Sequence, residues 1–232
     1  PPLEVQNRIV EQLDNIYDNE INTSKEIING LKKSIETIMK NTMYRGDLQE
    51  FKIKDIYDIK YGDKNPTNET NETNELYPCM SGGSKIGKYT NKWNILENTI
   101  TIARSGSCGY VSMLPCKILM GSYGFSLNII DLKNNDNKYI YHILKAFQTS
   151  IESLALGATV KNINRDILGD YVFKSPPIEV QREILSKIEP KEKLIEDLEK
   201  NITCAENEAK EIMSILFNQN TNNVADEPEP EL

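Results

Sequence analysis

The sequence predicts an α+β protein in which one mostly β, irregular domain is flanked by two long antiparallel coiled-coil helices. Two observations support this fold class. The opening residues 1–6 (PPLEVQ) recur near the end as residues 176–181 (PPIEVQ), and each copy begins a long run with helical periodicity. The segment between the two runs contains short β-type stretches interrupted by glycine, which is typical of strands joined by turns.

The first flank, residues 1–41, is predicted to be a coiled-coil helix. Its apolar residues recur at alternating steps of three and four, which places them on one narrow seam. These residues are Tyr17, Ile21, Ile28, Leu31, Ile35 and Ile38. The two prolines of the repeat suit a helix start, where a backbone N–H is not needed.

The second flank, residues 176–217, repeats this pattern with heptad spacing. Its seam comprises Ile184, Ile188, Ile195, Leu198, Ile202, Ala205, Ala209, Ile212 and Leu216. The small Ala205 and Ala209 permit close approach of another helix. Because apolar seams of matching length must be covered, we predict that the two helices pack antiparallel. The alternative is that each helix packs separately on the central domain.

The central domain, residues 42–175, is predicted to contain six short strands and one helix. The strands are expected at residues 51–59, 99–104, 110–114, 117–120, 125–130 and 171–173, and the helix at residues 137–156. Residues 68–75 form a polar Asn-Glu-Thr repeat that can bury nothing, so a solvated loop is predicted there. Residues 218–232 are predicted to be a disordered acidic tail.

Charge is unevenly distributed along this acidic chain, whose formal net charge is −8. Residues 42–175 hold 16 lysines and arginines against 14 acidic residues, so the acidic excess lies on the flanks and tail. Between residues 77 and 128 the only acidic residue is Glu97, against five basic residues. An anionic ligand would therefore meet a locally positive segment.

Several classes of protein are disfavoured by the sequence. No apolar stretch approaches the roughly 20 residues needed to cross a bilayer, and we expect a cytoplasmic chain. A zinc site is not expected, since the four cysteines lack paired spacing and His142 is the only histidine. Residues 175–178 (SPPI) lack the Asn or Asp and the aromatic residue of an adenine methyltransferase motif. Asp55, Asp58 and Asp63 are too loosely spaced to predict a nuclease metal site.

Three loops carry residues suited to a nucleic-acid ligand. Residues 80–89 are glycine-rich and basic, and residues 104–110 (RSGSCGY) combine an arginine with small hydroxyl residues after a predicted strand. Residues 157–165 (GATVKNINR) offer amides, which suit adenine, and an arginine, which suits guanine or phosphate. Each signal alone is more typical of an ordinary turn, but the three occur in the least acidic part of the chain.

The order of these segments resembles the target recognition domain and following helix of type I restriction-modification specificity subunits. The resemblance rests on Tyr77-Pro78, the glycine-rich residues 82–89, residues 100–109 (ITIARSGSCG), residues 138–141 (KYIY), residues 157–164 and the closing residues 176–181. Residues 1–41 are similar to the central helix of that family. Family members normally hold two recognition domains, whereas this chain has one; the Asn-Glu-Thr repeat and the acidic tail are further departures.

The resemblance implies a non-catalytic subunit that binds double-stranded DNA, recognises half of a bipartite sequence and needs no cofactor. It also implies that the helices dock DNA methyltransferase subunits and a restriction or translocase subunit. The second half-site would be recognised either by a second recognition domain or by a homodimer. The alternative function is a coiled-coil assembly protein that does not bind DNA, which the negative net charge favours.

The predicted DNA contacts divide into backbone contacts and base contacts. Lysines would contact phosphates, whereas Arg104, Asn162, Asn164 and Arg165 would recognise base edges; Tyr89 and Tyr123 would pack against sugar or base, or else in the core. For Arg104 the alternative is a surface ion pair with a nearby acid. The full predicted set is Ser84, Lys85, Lys88, Tyr89, Lys92, Arg104, Ser105, Ser107, Lys117, Tyr123, Lys161, Asn162, Asn164 and Arg165.

Overall fold

A computed structural model describes residues 2–63, 76–80, 86, 88–157 and 161–222, with only the backbone described for residue 88 and residues 215–222. The predicted loop at 68–75 lies outside these residues, as do most of the predicted tail and most of the glycine-rich loop at 80–89. The chain divides into two compact units. One comprises Pro1–Ser34 with Ile188–Leu232, and the other is Ile35–Lys187.

The helical unit is built from the two flanking runs. The first run is helical from α1 (Leu3–Asn15) through a π-helical segment (Ile16–Asn22) into α2 (Thr23–Thr42). The second run is the single helix α7 (Ile178–Asn222), which contains Pro190. Both helices begin where the repeated Pro-Pro sequence predicts.

The π-helical segment corrects the predicted seam of the first helix. Tyr17, which the heptad spacing placed on the seam, is 41% exposed, whereas Ile16 and Ile21 are buried. In an α-helix, residues five apart point in clearly different directions, because each residue turns by about 100°. The wider i→i+5 turn of a π-helix brings them onto one face. Further along the predicted seam, Ile28 and Ile35 are buried as expected.

The two helices of this unit run antiparallel. Ile16 and Ile21 form a buried cluster with Ala205 and Ala209. Further along the first helix, the Nζ atom of Lys32 lies 3.2 Å from the Oε1 atom of Glu199. Residues later in the first helix therefore contact residues earlier in the second helix. This confirms the predicted antiparallel arrangement. The fully buried Ala209 leaves room for the isoleucines, as its small size predicted.

The central unit contains nine strands and four short helices in its described residues, besides the ends of α2 and α7. The strands are β1 (Gln49–Lys52), β2 (Tyr57–Tyr61), β3 (Tyr77–Met80), β4 (Lys88–Thr90), β5 (Ile100–Ala103), β6 (Val111–Met113), β7 (Leu119–Met120), β8 (Gly124–Ile129) and β9 (Val172–Ser175). The helices are α3 (Ile53–Ile56), α4 (Asn137–Ala146), α5 (Gln148–Glu152) and α6 (Arg165–Gly169).

These strands form three small sheets. The orders are β2-β8-β5-β6, β4-β3-β7 and β1-β9, and every strand pair is antiparallel except β3 with β7. Ile100, Ile102 and Phe125 are fully buried in the largest sheet. The predicted fold class, α+β with an irregular, mostly β domain and two long helices, is confirmed.

Two predicted elements are interrupted in the structure. The expected strand at 51–59 contains the helical turn α3, in which the Asp55 carboxylate accepts from the Lys52 backbone N–H at 3.0 Å. The turn buries both Ile53 and Ile56, which are three residues apart and share one face of it. The expected helix at 137–156 is divided at Phe147, whose φ of −107° and ψ of 22° end α4.

Three further elements were not expected from the sequence. Strands β3 and β4 are short and contain Pro78 and a lysine, which are uncommon in strands. Helix α6 is one turn long and begins after Asn164, whose side-chain oxygen accepts from the Asp166 backbone N–H at 2.7 Å. Elements of this length carry too few residues for a periodic signal.

Candidate nucleic-acid interface

Arg104 is the first residue after β5, and three hydrogen bonds hold its main chain in place. The Arg104 N–H donates to the Tyr123 carbonyl oxygen at 2.7 Å. The Arg104 carbonyl oxygen accepts from the Ile163 N–H at 3.0 Å and from the Cys108 Sγ atom at 2.8 Å. The base of the Arg104 side chain is therefore fixed by backbone bonds from two other loops.

The predicted loop at 104–110 lies next to the described part of the predicted loop at 157–165. Ser105 and Asn162 form an isolated antiparallel β-bridge, and Asn162 forms a second bridge with Leu156. Leu156 and Asn162 exchange two backbone hydrogen bonds of 2.9 Å each. The bridge to Asn162 therefore brings Arg104 and Arg165 onto neighbouring segments although they are far apart in sequence.

Tyr61, at the end of β2, is contacted by both arginines. The guanidinium carbon of Arg104 lies 5.3 Å from the centroid of the Tyr61 ring, and that of Arg165 lies 5.8 Å from the same centroid. The ring is supported by Phe125, whose centroid is 5.0 Å away. We call Arg104, Tyr61 and Arg165 the arginine–tyrosine cluster. Because Tyr61 is 48% exposed, this cluster lies at the surface.

The chain after Tyr61 requires glycine. A Cβ atom on Gly62 would lie 2.2 Å from the Gly121 carbonyl oxygen. The Gly62 N–H donates to the Gly124 carbonyl oxygen at 3.0 Å, which ties the end of β2 to the first residue of β8. Tyr123, 57% exposed, directly precedes β8. The close backbone approach fixes where Tyr61 lies relative to Arg104.

Arg104 is not neutralised by a carboxylate among the described residues. Its Nε atom is buried and has no hydrogen-bond partner, and the Asn162 Oδ1 atom is in the same condition. A surface ion pair, the alternative considered for Arg104, is therefore absent from the described part of the chain. Arg165 forms a long ion pair with Asp166, with its Nε atom 3.7 Å from the Oδ1 atom.

Carboxylates near Arg165 are partly neutralised by lysines. Asp170 lies 2.7 Å from the Lys54 Nζ atom and 3.0 Å from the Lys52 Nζ atom. Hydrogen bonds from Lys54 and then Lys52 hold the pKa of Asp170 below its ordinary value. Asp170, Asp166 and Arg165 line one open cleft, so the lysines limit the negative charge presented beside Arg165.

A second pairing of a cation with an aromatic ring involves Lys117. Its Nζ atom lies 4.4 Å from the centroid of Trp93, the only tryptophan in the chain. Lys92, which precedes Trp93, is half-buried, and Tyr89 on β4 is 60% exposed. This group offers a further basic and aromatic surface of the kind that contacts nucleic-acid backbones and bases.

The other predicted contact residues occupy varied environments. Ser105 is buried, whereas Ser107 is exposed and lines a cleft of about 370 Å³ with Lys161 and Cys108. Burial raises the pKa of the Cys108 thiol, and Lys161 opposes this weakly. Asn164 is exposed, but its side-chain oxygen caps α6. The backbone of Lys88 pairs with Cys79, and Ser84 and Lys85 lie outside the described residues.

Two residues of this surface, Tyr61 and Trp93, are not among the contacts that the sequence predicts. Tyr61 occupies the end of a predicted strand and carries no local signal that arginines from other segments contact it. Trp93 had a usable signal, since a tryptophan inside a basic, polar segment is often a surface ring rather than a core residue.

The described residues contain neither a cluster of potential metal ligands nor a helix suited to a membrane. No group of three or more histidine, cysteine, aspartate or glutamate side chains is arranged to hold a metal ion in this part of the chain. Among the same residues, no helix has the length and apolar character required to span a bilayer.

The family model for the type I restriction modification DNA specificity domain matches residues 45–205. A putative type I specificity subunit of Mycoplasma genitalium is 35% identical over 111 residues, covering 48% of this chain and 29% of that protein. The putative type I restriction enzyme MjaX specificity subunit of Methanocaldococcus jannaschii is 27% identical over 249 residues, covering 94% of this chain and 57% of that protein.

Solved structures show the same similarity. The S subunit of a type I restriction-modification system from M. genitalium superposes with a TM-score of 0.54 at 30% identity, covering 62% of this chain and 39% of that one. The HsdS subunit from Thermoanaerobacter tengcongensis gives a TM-score of 0.54 at 14% identity, covering 92% and 58%, and supports the fold alone.

The irregular β unit with its long flanking helices is the architecture of a restriction-modification specificity protein. The chain belongs to the family of type I restriction-modification DNA specificity domains, as its resemblance predicted. It spans less than two thirds of each of these relatives, for example 29% of the M. genitalium protein and 57% of the M. jannaschii protein.

Proposed function

We propose that residues 42–175 bind double-stranded DNA and recognise one half of a bipartite sequence. The observation that carries this proposal is the arginine–tyrosine cluster, in which two arginines without strong ion pairs converge on one exposed ring. Arginine is the side chain best suited to bidentate recognition of guanine in the major groove. The family to which the chain belongs is named for DNA specificity, which supports the same function.

The proposed interface combines base and backbone contacts. Arg104, Asn162 and Arg165 would contact base edges, and Asn164, whose oxygen caps α6, would offer its amide nitrogen. Phosphate contacts would come from Lys85, Lys88, Lys92, Lys117 and Lys161. Tyr89 and Tyr123 are exposed and would pack against sugars or bases.

A salt titration of binding to a duplex of random sequence tests the DNA-binding function. Five lysine–phosphate contacts would give a slope of log K against log salt of about −4 to −5. Affinity should then fall by roughly two to three orders of magnitude between 50 and 200 mM salt. Binding that is absent at low salt, or that is independent of salt, would leave the assembly protein as the better account of the negative net charge.

We propose that the two helices, residues 1–41 and 176–217, dock other subunits and carry no catalytic role. Their acidic surfaces are poor DNA ligands and suit protein contacts. The partners would be DNA methyltransferase subunits and a restriction or translocase subunit, and the site of action would be the cytoplasm.

The second half of a bipartite target requires a second recognition domain, either in the same polypeptide or in a second copy of this chain. Sedimentation of the chain at tens of micromolar, as an order-of-magnitude range, distinguishes these arrangements. A dimer predicts a palindromic target because a two-fold axis relates the two interfaces. A monomer supports a second domain in one polypeptide.

A further inference from the structure

Tyr61 contacts both arginines of the proposed interface and has no assigned role. The two guanidinium groups come from different elements, Arg104 from the loop after β5 and Arg165 from the first position of α6. Each lies within 6 Å of the same ring, at 5.3 and 5.8 Å. A single exposed side chain therefore sets the relative position of two residues from distant parts of the sequence.

We propose that Tyr61 is a specificity-determining residue that positions Arg104 and Arg165 as a pair, so that the half-site contains two closely spaced guanines. This inference rests on the proposed DNA-binding function. Tyr61 acts here as a positioning residue, because the hydrogen bonds to the bases come from the arginines.

Guanine is favoured over phosphate by the way in which the guanidiniums are held. A guanidinium that packs against an aromatic ring is covered on one face, while its N–H donors lie in its plane and remain available at its edge. Among the described residues, Arg104 forms no ion pair, and the contact of Arg165 with Asp166 is long, with 3.7 Å between Nε and Oδ1. The fork of N–H donors that matches guanine O6 and N7 is therefore not occupied by an acid.

Both arginines are also held at the backbone. Three hydrogen bonds fix the main chain of Arg104, and the Asn164 cap fixes the start of α6 where Arg165 lies. A side chain that is already ordered loses less conformational entropy when it binds. Such ordering favours a defined base contact over a mobile phosphate contact.

The common ring limits the spacing of the recognised bases. Because both guanidinium carbons lie close to one centroid, the pair can reach base pairs separated by no more than about three steps of roughly 3.4 Å. The two guanines are therefore expected within about three base pairs of each other, on either strand.

Selection from a randomised duplex library, followed by sequencing of bound DNA, tests the proposal with the full chain. The wild-type chain should select a motif with two such guanines. Arg104→Gln and Arg165→Gln should each abolish preference at one guanine, with roughly a 10-fold loss in discrimination. Tyr61→Leu should weaken both preferences, and Tyr61→Phe, which retains the ring, should retain them.

Matched controls separate specificity from general effects. Tyr44→Leu replaces an 89% exposed tyrosine that has no arginine against its ring, and Arg182→Gln removes an exposed arginine from the start of α7. Both should select the wild-type motif. If Tyr61→Leu lowers the thermal midpoint of the chain, its loss of specificity could reflect unfolding, and Arg104→Lys and Arg165→Lys then provide the test. Lysine keeps the positive charge but lacks the planar fork of N–H donors, so each variant should lose preference at one guanine.

The outcomes are distinguishable. A wild-type chain that selects no motif contradicts the proposed function itself. A motif without clustered guanines overturns the inference about Tyr61 while leaving DNA recognition intact. The inference also fails if a folded Tyr61→Leu chain keeps the full motif or binds all sequences more weakly by the same factor, or if both lysine variants keep both guanines.

Discussion

The side-chain oxygen of Gln181 accepts a hydrogen bond from the backbone N–H of Asp136 at 2.8 Å. Gln181 is fully buried, and its Nε2 atom donates to the carbonyl oxygens of Asn134 and Pro176 at 3.2 and 2.9 Å. Asp136 in turn caps α4 by accepting from two backbone N–H groups. The glutamine of the second Pro-Pro repeat therefore joins the start of α7 to the start of α4.

Replacing Gln181 with leucine should destabilise the central unit by about 1–3 kcal/mol, because one buried and two partly buried hydrogen bonds to the backbone would be lost. The free energy of unfolding from urea titration measures this. Gln6→Leu is the matched control, since Gln6 is the corresponding residue of the first repeat and is exposed. Equal effects of the two substitutions would contradict a structural role specific to the second copy.

Ala209→Leu should destabilise the helical unit. Ala209 is fully buried in a cluster with Ile16 and Ile21, so added methyl groups would overpack the contact at a cost of about 1–3 kcal/mol. Thermal unfolding followed by circular dichroism provides the measurement. Lys210→Leu, at the exposed neighbouring position, should change stability little. A similar midpoint for both variants would argue against antiparallel packing of the helices.

Stability of the central unit should decline at alkaline pH. Burial raises the pKa of Tyr57 well above its ordinary value of 10.0, with a smaller contribution from Asp136. Because the folded pKa is raised, the stabilisation is present below pH 10 and is lost as the pH rises above it. Tyr57 also donates to the Asn137 Oδ1 atom at 3.0 Å.

Thermal midpoints measured between pH 8 and 11 test this dependence. Tyr57→Phe should lower stability at pH 8, because a hydrogen bond is lost, and should flatten the decline above pH 10. The exposed Tyr44→Phe should preserve the wild-type curve. If Tyr57→Phe loses stability above pH 10 as steeply as the wild-type chain, groups other than Tyr57 cause the decline.

Gly109→Ala should disturb the loop that carries Arg104. Gly109 has a φ of +84°, and a Cβ atom there would lie 2.7 Å from the Glu152 backbone. The combined strain should cost about 1–3 kcal/mol. Gly46→Ala, where no atom lies within 4 Å of the added Cβ, is the control and should be nearly neutral in urea unfolding. Loss of stability in the control alone would refute this account.

The sequence predicts the architecture well because it depends on local periodicity. The seam residues Ile28, Ile35 and Ile188 are buried as their spacing predicts. The burial of Ile16 in place of Tyr17 could not be predicted, since it depends on a π-helical segment that heptad spacing does not describe. Interruptions such as the turn at Ile53 depend on single side-chain to backbone bonds.

The residue types of the candidate site can be predicted from the sequence, but its geometry cannot. Arg104 and Arg165 are proposed as base contacts because their residue type and flanking sequence suit base recognition, and this assignment stays a prediction. Tyr61 was missed because its role depends on contacts between segments far apart in the chain. Asn164 illustrates the converse, since its side chain suits adenine recognition and also suits a helix N-cap, and its oxygen serves the cap in this structure.

The most direct measurement of the central claim compares Arg104→Ala with Lys117→Ala in binding to a cognate duplex and to singly substituted duplexes. If the arginine–tyrosine cluster recognises bases, Arg104→Ala should cost roughly 1–3 kcal/mol on the cognate duplex and relax preference at one base pair. Lys117→Ala should weaken all sequences about equally and reduce the salt slope by about one. Wild-type affinity and unchanged sequence preference in Arg104→Ala would contradict the account.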